Sequence, residues 1–224
     1  MAGLTGSESP FVFAENLSKR FGPDWALARA SFQLRRGQLA LLTGSNGSGK
    51  TTLIRCLQTA LAPDFGRGSV GGRDLVLGRD GVRRMVASLS LPAGIYGGLS
   101  ARENLTLANT VLNLDAAGSI DSVLDRVNLG GKRDMLLDAF SSGMKQRFAL
   151  ARLSLLQRDL ILLDEPEAHL DLEGLGLLQE LMAEWKARGA AIVCATHAPE
   201  RFERLGDLEV RLVGGRAEPT RADA

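Results

Sequence analysis

An α/β fold of the phosphate-loop type, with a parallel sheet at its core, is predicted by three stretches of the 224-residue chain. The octet Gly44-Ser-Asn-Gly-Ser-Gly-Lys50-Thr51 directly follows the apolar run Leu39-Ala-Leu-Leu42. Further on, the apolar runs Leu160-Ile-Leu-Leu163 and Ala191-Ile-Val-Cys-Ala195 enclose a helical pattern from Leu175 to Arg188 that stops at Gly189. Strand-helix-strand alternation of this kind requires parallel pairing with helices on the sheet faces. Near the N-terminus, Phe11-Val-Phe-Ala14 and the alternating Ala30-Ser-Phe-Gln-Leu-Arg35 predict an antiparallel β layer, turned at Gly22-Pro-Asp24.

The remaining elements are read from caps and periodicity. Residues 1–10 are small and polar and are expected to be flexible, as is the tail from 216 to 224; a single domain spans 11–215. Lys50 to Leu61 reads as a helix closed by Pro63. From about 92 to 145 the texture changes to a small helical subdomain. There Ser100 and Glu103 form a capping box for a helix through Thr110, and Ile120, Val123, Leu124 and Val127 make the apolar face of another. Phe148 to Leu156 is again an apolar helix, and no internal repeat is present, so one nucleotide-binding unit is expected.

Composition narrows the function classes. Lys and Arg total 27 against 26 Asp and Glu, a net charge of +1, with no long basic run, so direct nucleic acid binding is not expected. The two cysteines, Cys56 and Cys194, have no metal-ligand spacing and read as small buried apolar groups. No stretch approaches the roughly 18 apolar residues that span a bilayer, and the start lacks the layout of a signal peptide. A cytoplasmic location is expected, with any membrane attachment supplied by another protein.

The chemistry-bearing residues sit at the ends of the predicted strands. Backbone N–H groups of Gly44, Ser45, Asn46, Gly47, Ser48 and Gly49 can cradle phosphates. Lys50 supplies a cation for the outer phosphates, and Thr51, followed by Thr52, brings a hydroxyl suited to Mg²⁺. Asp164 and Glu165 stand at the mouth of a buried strand, where one carboxylate can serve a metal and the other a water. His197 stands just past the next apolar run, within reach of a terminal phosphate or the attacking water. Ser141 and Gly143 precede an apolar helix and read either as a simple N-cap or as a second anion site.

Taken together, Gly44 to Thr51, Ser141 to Gly143, Leu160 to Glu165, Leu170-Asp171 and His197 resemble, in order and spacing, the ATP-binding cassette family from about Phe11 to about Gly215. The resemblance implies ATP and Mg²⁺ as cofactors, ATP hydrolysis as the activity, and a head-to-tail homodimer. In that dimer Ser141 and Gly143 of one chain close on ATP held by the other. It further implies that Glu165 is the general base, Asp164 the Mg²⁺-side carboxylate, His197 the switch histidine and Asp171 a link between the two sites. Phe21 is either the adenine-stacking aromatic or a core residue at a strand end, and His169 is an exposed loop residue.

Two departures stand out. The stretch from Ser88 to Tyr96 lacks the family's usual glutamine, with Leu91 or Pro92 at that position, and Ser142 and Met144 replace a usual Gly and Gln. Within the family the chain resembles the small ATPase subunits of bacterial exporters, including that of the haem exporter of cytochrome c maturation. A separate integral membrane permease is therefore the implied partner. The alternative is a non-transport cassette acting on a ribosome, DNA or cluster assembly. Ile95 and Tyr96, flanked by glycines, form an apolar tip that either seats a permease helix or folds inward.

Overall fold

A computed structural model describes residues 9–89, 95–114 and 120–220. The first layer comprises β1 (Val12–Phe21), β2 (Asp24–Leu34), β4 (Phe65–Val70) and the short β5 (Arg73–Asp74), hydrogen-bonded in the order β2-β1-β4-β5. β3 (Leu39–Thr43), β6 (Val86–Leu89), β7 (Leu160–Asp164), β8 (Ala191–Ala195), β9 (Leu208–Val213) and β10 (Arg216–Thr220) form the central sheet. Among the described residues its order is β10-β9-β3-β8-β7-β6, parallel throughout except for the antiparallel β9-β10 pair.

The continuous apolar runs are explained by burial on both faces, because the two-residue period of a strand divides each run between two cores. Leu39, Leu41, Ile161, Leu163, Ile192 and Cys194 join one core with Phe148, Trp185 and Phe202. Ala40, Leu42, Leu160, Leu162, Val193 and Ala195 join the other with Leu53, Ile54 and Leu57 and with the antiparallel layer. The helices are α1 (Lys50–Leu57), α2 (Arg79–Met85), α3 (Ala101–Val111), α4 (Ile120–Arg126), α5 (Ser142–Leu156) and α6 (Leu172–Ala187). α3 and α4 pack with α5, whose Phe148 meets Phe140 edge to face at 6.5 Å, so the helical subdomain shares the first core.

The Ser100–Glu103 capping box forms in both directions: the Ser100 hydroxyl accepts from the Glu103 N–H, and the Glu103 carboxylate accepts from the Ser100 N–H at 2.8 Å. Behind it, buried Asn104 ties down the 96–100 turn. Its side chain accepts from Tyr96 N–H at 2.9 Å and donates to the carbonyls of Tyr96, Leu99 and Ser100 at 2.9, 3.1 and 3.0 Å.

Two expectations are corrected. α1 ends at Leu57 rather than Leu61, because Thr59 turns left-handed and the N–H groups of Ala60 and Leu61 both fold back onto the Arg55 carbonyl. The tail expected to be flexible from residue 216 instead begins with β10. Gly214 and Gly215 both take positive φ (55° and 77°), the conformation a two-residue hairpin needs, and this returns the chain along β9.

Cys56 and Cys194 are buried and unpaired by disulfide. Burial pushes the Cys56 thiol up to about 11 and the Cys194 thiol well above its ordinary value. Both are therefore expected to resist thiol-directed reagents at neutral to mildly alkaline pH in native protein and to react once it is unfolded, which mass spectrometry of the labelled chain checks. Asn104→Leu leaves the Tyr96 N–H without its acceptor and removes the side-chain donor from three turn carbonyls, which keep their backbone donors, and is expected to destabilise the fold by about 1–3 kcal/mol, read from denaturant unfolding.

Candidate functional site

The site is assembled by strand register. Leu42 pairs with Ala195, and Ala195 with Asp164, so β3, β8 and β7 end side by side. The segments that leave these three strands emerge at one edge: the loop 44–49, the turn 196–198 and the turn beginning at Glu165. Further hydrogen bonds lock that edge, from Glu165 N–H to the Ala195 carbonyl (2.9 Å) and from Thr196 N–H to the Leu42 carbonyl (3.1 Å).

The loop after β3 depends on glycine at its two ends. Gly44 and Gly49 take φ of 140° and 106°, and a Cβ would strike the Leu212 carbonyl at the first and the Ala26 carbonyl at the second. α1 begins at the next residue, its N-terminal N–H groups and positive dipole end directed at the loop. Lys50 is only 5% exposed, and its Nζ donates to the carbonyls of Gly44 (2.8 Å) and Ser45 (3.1 Å). Burial holds this ammonium below the usual lysine range, opposed by the charges of Glu165 and Asp164. Ser48 Oγ is buried and has no hydrogen-bond partner among the described residues.

Thr51, Asp164 and Glu165 line one cavity of about 300 Å³, together with Gln146, Arg55 and Gln58. A hydroxyl and a carboxylate facing one space are hard oxygen donors that suit Mg²⁺, which binds through one or two protein oxygens and completes its shell with water and phosphate. No group of three or more His, Cys, Asp or Glu able to hold a metal occurs among the described residues, so an all-protein metal cage is not what these residues build. The donor set fits the cation the sequence implied.

Glu165 is exposed and takes a left-handed φ of 50°, a strained conformation for a residue with a side chain. That conformation accompanies a 3.0 Å contact between Glu165 Oε1 and His197 Nε2. Residues 32 apart in sequence therefore form one acid/base pair at the sheet edge.

Ser141 caps α5, its hydroxyl accepting the Met144 N–H at 3.3 Å. Ser141 and Ser142 are exposed, and Gly143 lies close to the His169 carbonyl, only 3.0 Å from where a Cβ would sit. Asp171 caps α6 through Gly174 N–H (2.8 Å) and accepts from Arg147 Nη2 at 2.7 Å. Gly174 N–H and Arg147 hold its carboxyl below the usual carboxylate range. The start of α5 and the loop before α6 are thus joined through the buried Arg147. Among the described residues no hydrogen bond joins Ser141 or Gly143 to the loop 44–51, so within one chain the start of α5 and that loop are not linked to each other.

Phe21 ends β1 with 51% of its surface exposed and Lys19 Nζ 6.0 Å from its ring, so it is not a core residue. The tip at Ile95 and Tyr96 divides: Ile95 packs against the first core, while Tyr96 stays exposed. The missing-glutamine position, Leu91 or Pro92, lies outside the described residues. Sequence reasoning overlooked Gln146 on the cavity, Arg147 behind Asp171, and Glu167, which accepts the Thr196 hydroxyl. Only Glu167 offered a local signal, as a further carboxylate within Asp164-Glu-Pro-Glu167.

Residues 27–168 match the ABC transporter family profile. The cytochrome c biogenesis ATP-binding export protein CcmA of Rhizobium meliloti is 35% identical over 202 residues, covering 89% of this chain and 97% of that protein. The bacitracin transport ATP-binding protein BcrA of Bacillus licheniformis is 30% identical over 200 residues, which are 89% of this chain but 65% of that longer protein. A solved structure of the ATP binding subunit of an ABC transporter shares the fold at a TM-score of 0.85 and 29% identity, covering 95% of this chain and 90% of that one. The nucleotide loop, the paired Glu165 and His197 and these likenesses lead to one conclusion: the chain belongs to the ABC transporter family, as an ATP-hydrolysing cassette.

Proposed function

We propose that this cassette works as a head-to-tail homodimer on the cytoplasmic face of a membrane, powering a separate permease, and that its exporter serves cytochrome c maturation with haem as cargo. The observation that carries the catalytic reading is the 3.0 Å Glu165–His197 pair on the edge that also holds the nucleotide loop and Asp164. Likeness over 97% of the cytochrome c biogenesis export protein supports the choice of export system.

Each residue of the site has a separate task. Phe21 offers an exposed aromatic face for adenine. The N–H groups of residues 44–52 and the N-terminus of α1 receive the phosphates, and Lys50 exchanges its bonds to the Gly44 and Ser45 carbonyls for phosphate oxygens. Because its ammonium is largely removed from water, its attraction to those oxygens is stronger than at the surface. Mg²⁺ held between Thr51 and Asp164 would neutralise charge on the outer phosphates during transfer. Glu165 orients the attacking water and takes its proton, while His197 fixes the Glu165 carboxylate and faces the terminal phosphate.

Ser141 has room for a second role. Its hydroxyl accepts from Met144 N–H within its own helix, which leaves its proton to donate to a phosphate oxygen. The N-cap and anion-site readings are therefore compatible, and Ser141 with Gly143 completes the site of the opposite chain. Asp171, tied to α5 by Arg147, then transmits closure from one site to the other.

Glu165→Gln is expected to lower turnover by about 10²–10⁴-fold and to give a stable dimer in ATP and Mg²⁺ by size-exclusion chromatography. A monomer under those conditions would remove the composite site. For the permease, Tyr96 is the exposed half of the 95–96 tip and Ile95 a packing residue, so the single change Tyr96→Asp is the clean probe. It is expected to reduce recovery of the complex with a co-expressed permease while leaving the ATPase rate of the isolated cassette unchanged.

A further inference from the structure

Glu167 lies two residues beyond Glu165, with buried Pro166 between them. Its Oε1 accepts the hydroxyl proton of Thr196, and the Thr196 Oγ in turn accepts the N–H of Ala198 at 3.0 Å. Thr196 is fully buried, and its own N–H is bound to the Leu42 carbonyl. These bonds fasten the chain on both sides of His197, so the imidazole is presented from a turn that is itself held at three points.

The second carboxylate oxygen, Oε2, is buried and has no hydrogen-bond partner among the described residues. Burying a carboxylate oxygen unpaired costs stability, so efficient packing is not what a glutamate achieves at this position. Its neighbours supply the reason. The turns 165–167 and 196–198 face each other and are cross-linked by side chains twice, through Glu165–His197 and through Glu167–Thr196. The first link is exposed, with side-chain exposures of 51% and 40%, and an exposed pair of that kind gains little free energy and does not hold one geometry by itself. The second is a charge-assisted bond made by a fully buried hydroxyl, which is the stronger sort.

We propose that Glu167 is a positioning residue for ATP hydrolysis: through the buried Thr196 hydroxyl it holds His197 within hydrogen-bond distance of Glu165. This rests on the assignment of the hydrolytic step to Glu165 and His197. Neither Glu167 nor Thr196 touches the loop 44–52 by any hydrogen bond among the described residues, so their role is confined to the chemical step and does not extend to holding nucleotide.

The test uses the full chain, with steady-state hydrolysis and titration of a fluorescent ATP analogue measured side by side. Glu167→Ala and Thr196→Val are each expected to lower kcat by about 10- to 100-fold, the usual cost of misplacing a reacting group by about 1 Å, while nucleotide affinity and KM stay within about twofold of the parent. Conservative changes that keep the link, Thr196→Ser with its hydroxyl and Glu167→Gln with its accepting amide oxygen, are expected to recover most of the rate. The double variant Glu167→Ala, Thr196→Val should be no slower than the slower single one, because both remove the same link.

Unchanged kcat in Glu167→Ala, a matching loss of nucleotide affinity, additive losses in the double variant, or a Thr196→Ser as slow as Thr196→Val would each overturn the proposal. If Glu167→Ala does not fold, the Val and Ser variants at Thr196 decide the matter alone. Glu165→Gln and His197→Ala run alongside separate the two readings. Parent-level turnover in these overturns the underlying assignment, whereas their loss of turnover beside an unaffected Glu167→Ala overturns only the positioning role.

Discussion

Everything at the edge that carries the loop 44–49, Glu165 and His197 hangs from the row in which Leu42, Ala195 and Asp164 lie side by side. Parallel strands buried on both faces leave no freedom to slip, since a one-residue shift would exchange the residues of the two cores. Leu163 and Cys194 belong to one core and Leu162 and Val193 to the other, so each strand is held in register from both sides. Glu165, Thr196 and Gly44 inherit their positions from that register. The contact between Glu165 and His197, 32 residues apart, therefore needs no tether of its own beyond short turns.

Within that frame the polar groups are arranged against one another. Burial disfavours the charge on Lys50, while Asp164 and Glu165 restore part of it, and the ammonium rests on two loop carbonyls. The loop therefore brings together a buried cation and the free N–H groups at the start of α1, while the buried Ser48 hydroxyl has no hydrogen-bond partner among the described residues. The left-handed backbone of Glu165 is a local cost that the surrounding sheet and the flanking hydrogen bonds hold in place.

A second set of contacts joins the start of α5 to the start of α6. Arg147 is buried in α5 and reaches Asp171, which also caps α6. Truncating either partner would leave a buried guanidinium or an uncapped helix, so the two helix starts are coupled mechanically as well as electrostatically. The loop between them passes from Glu165 through Glu167 and His169 to Asp171. It begins at the Glu165–His197 pair, and its His169 carbonyl lies against Gly143 at the start of α5.

Local chemistry by itself determined much of this protein. The glycines of the loop 44–49, the Ser100 and Ser141 caps, the two-sided apolar runs and the carboxylates at the mouth of Leu160–Leu163 are all properties of short segments, set by backbone conformation and periodicity. Even the Gly214-Gly215 hairpin was local, though the polar tail after it masked the signal. What only the tertiary structure decided were relations between distant segments: Phe21 outside the core, Ile95 inward and Tyr96 outward, Arg147 on Asp171, Thr196 on Glu167. Their partners lie 24 and 29 residues apart in the last two cases. Such pairings are set by how buried surfaces fit, and no periodicity within either segment encodes that fit.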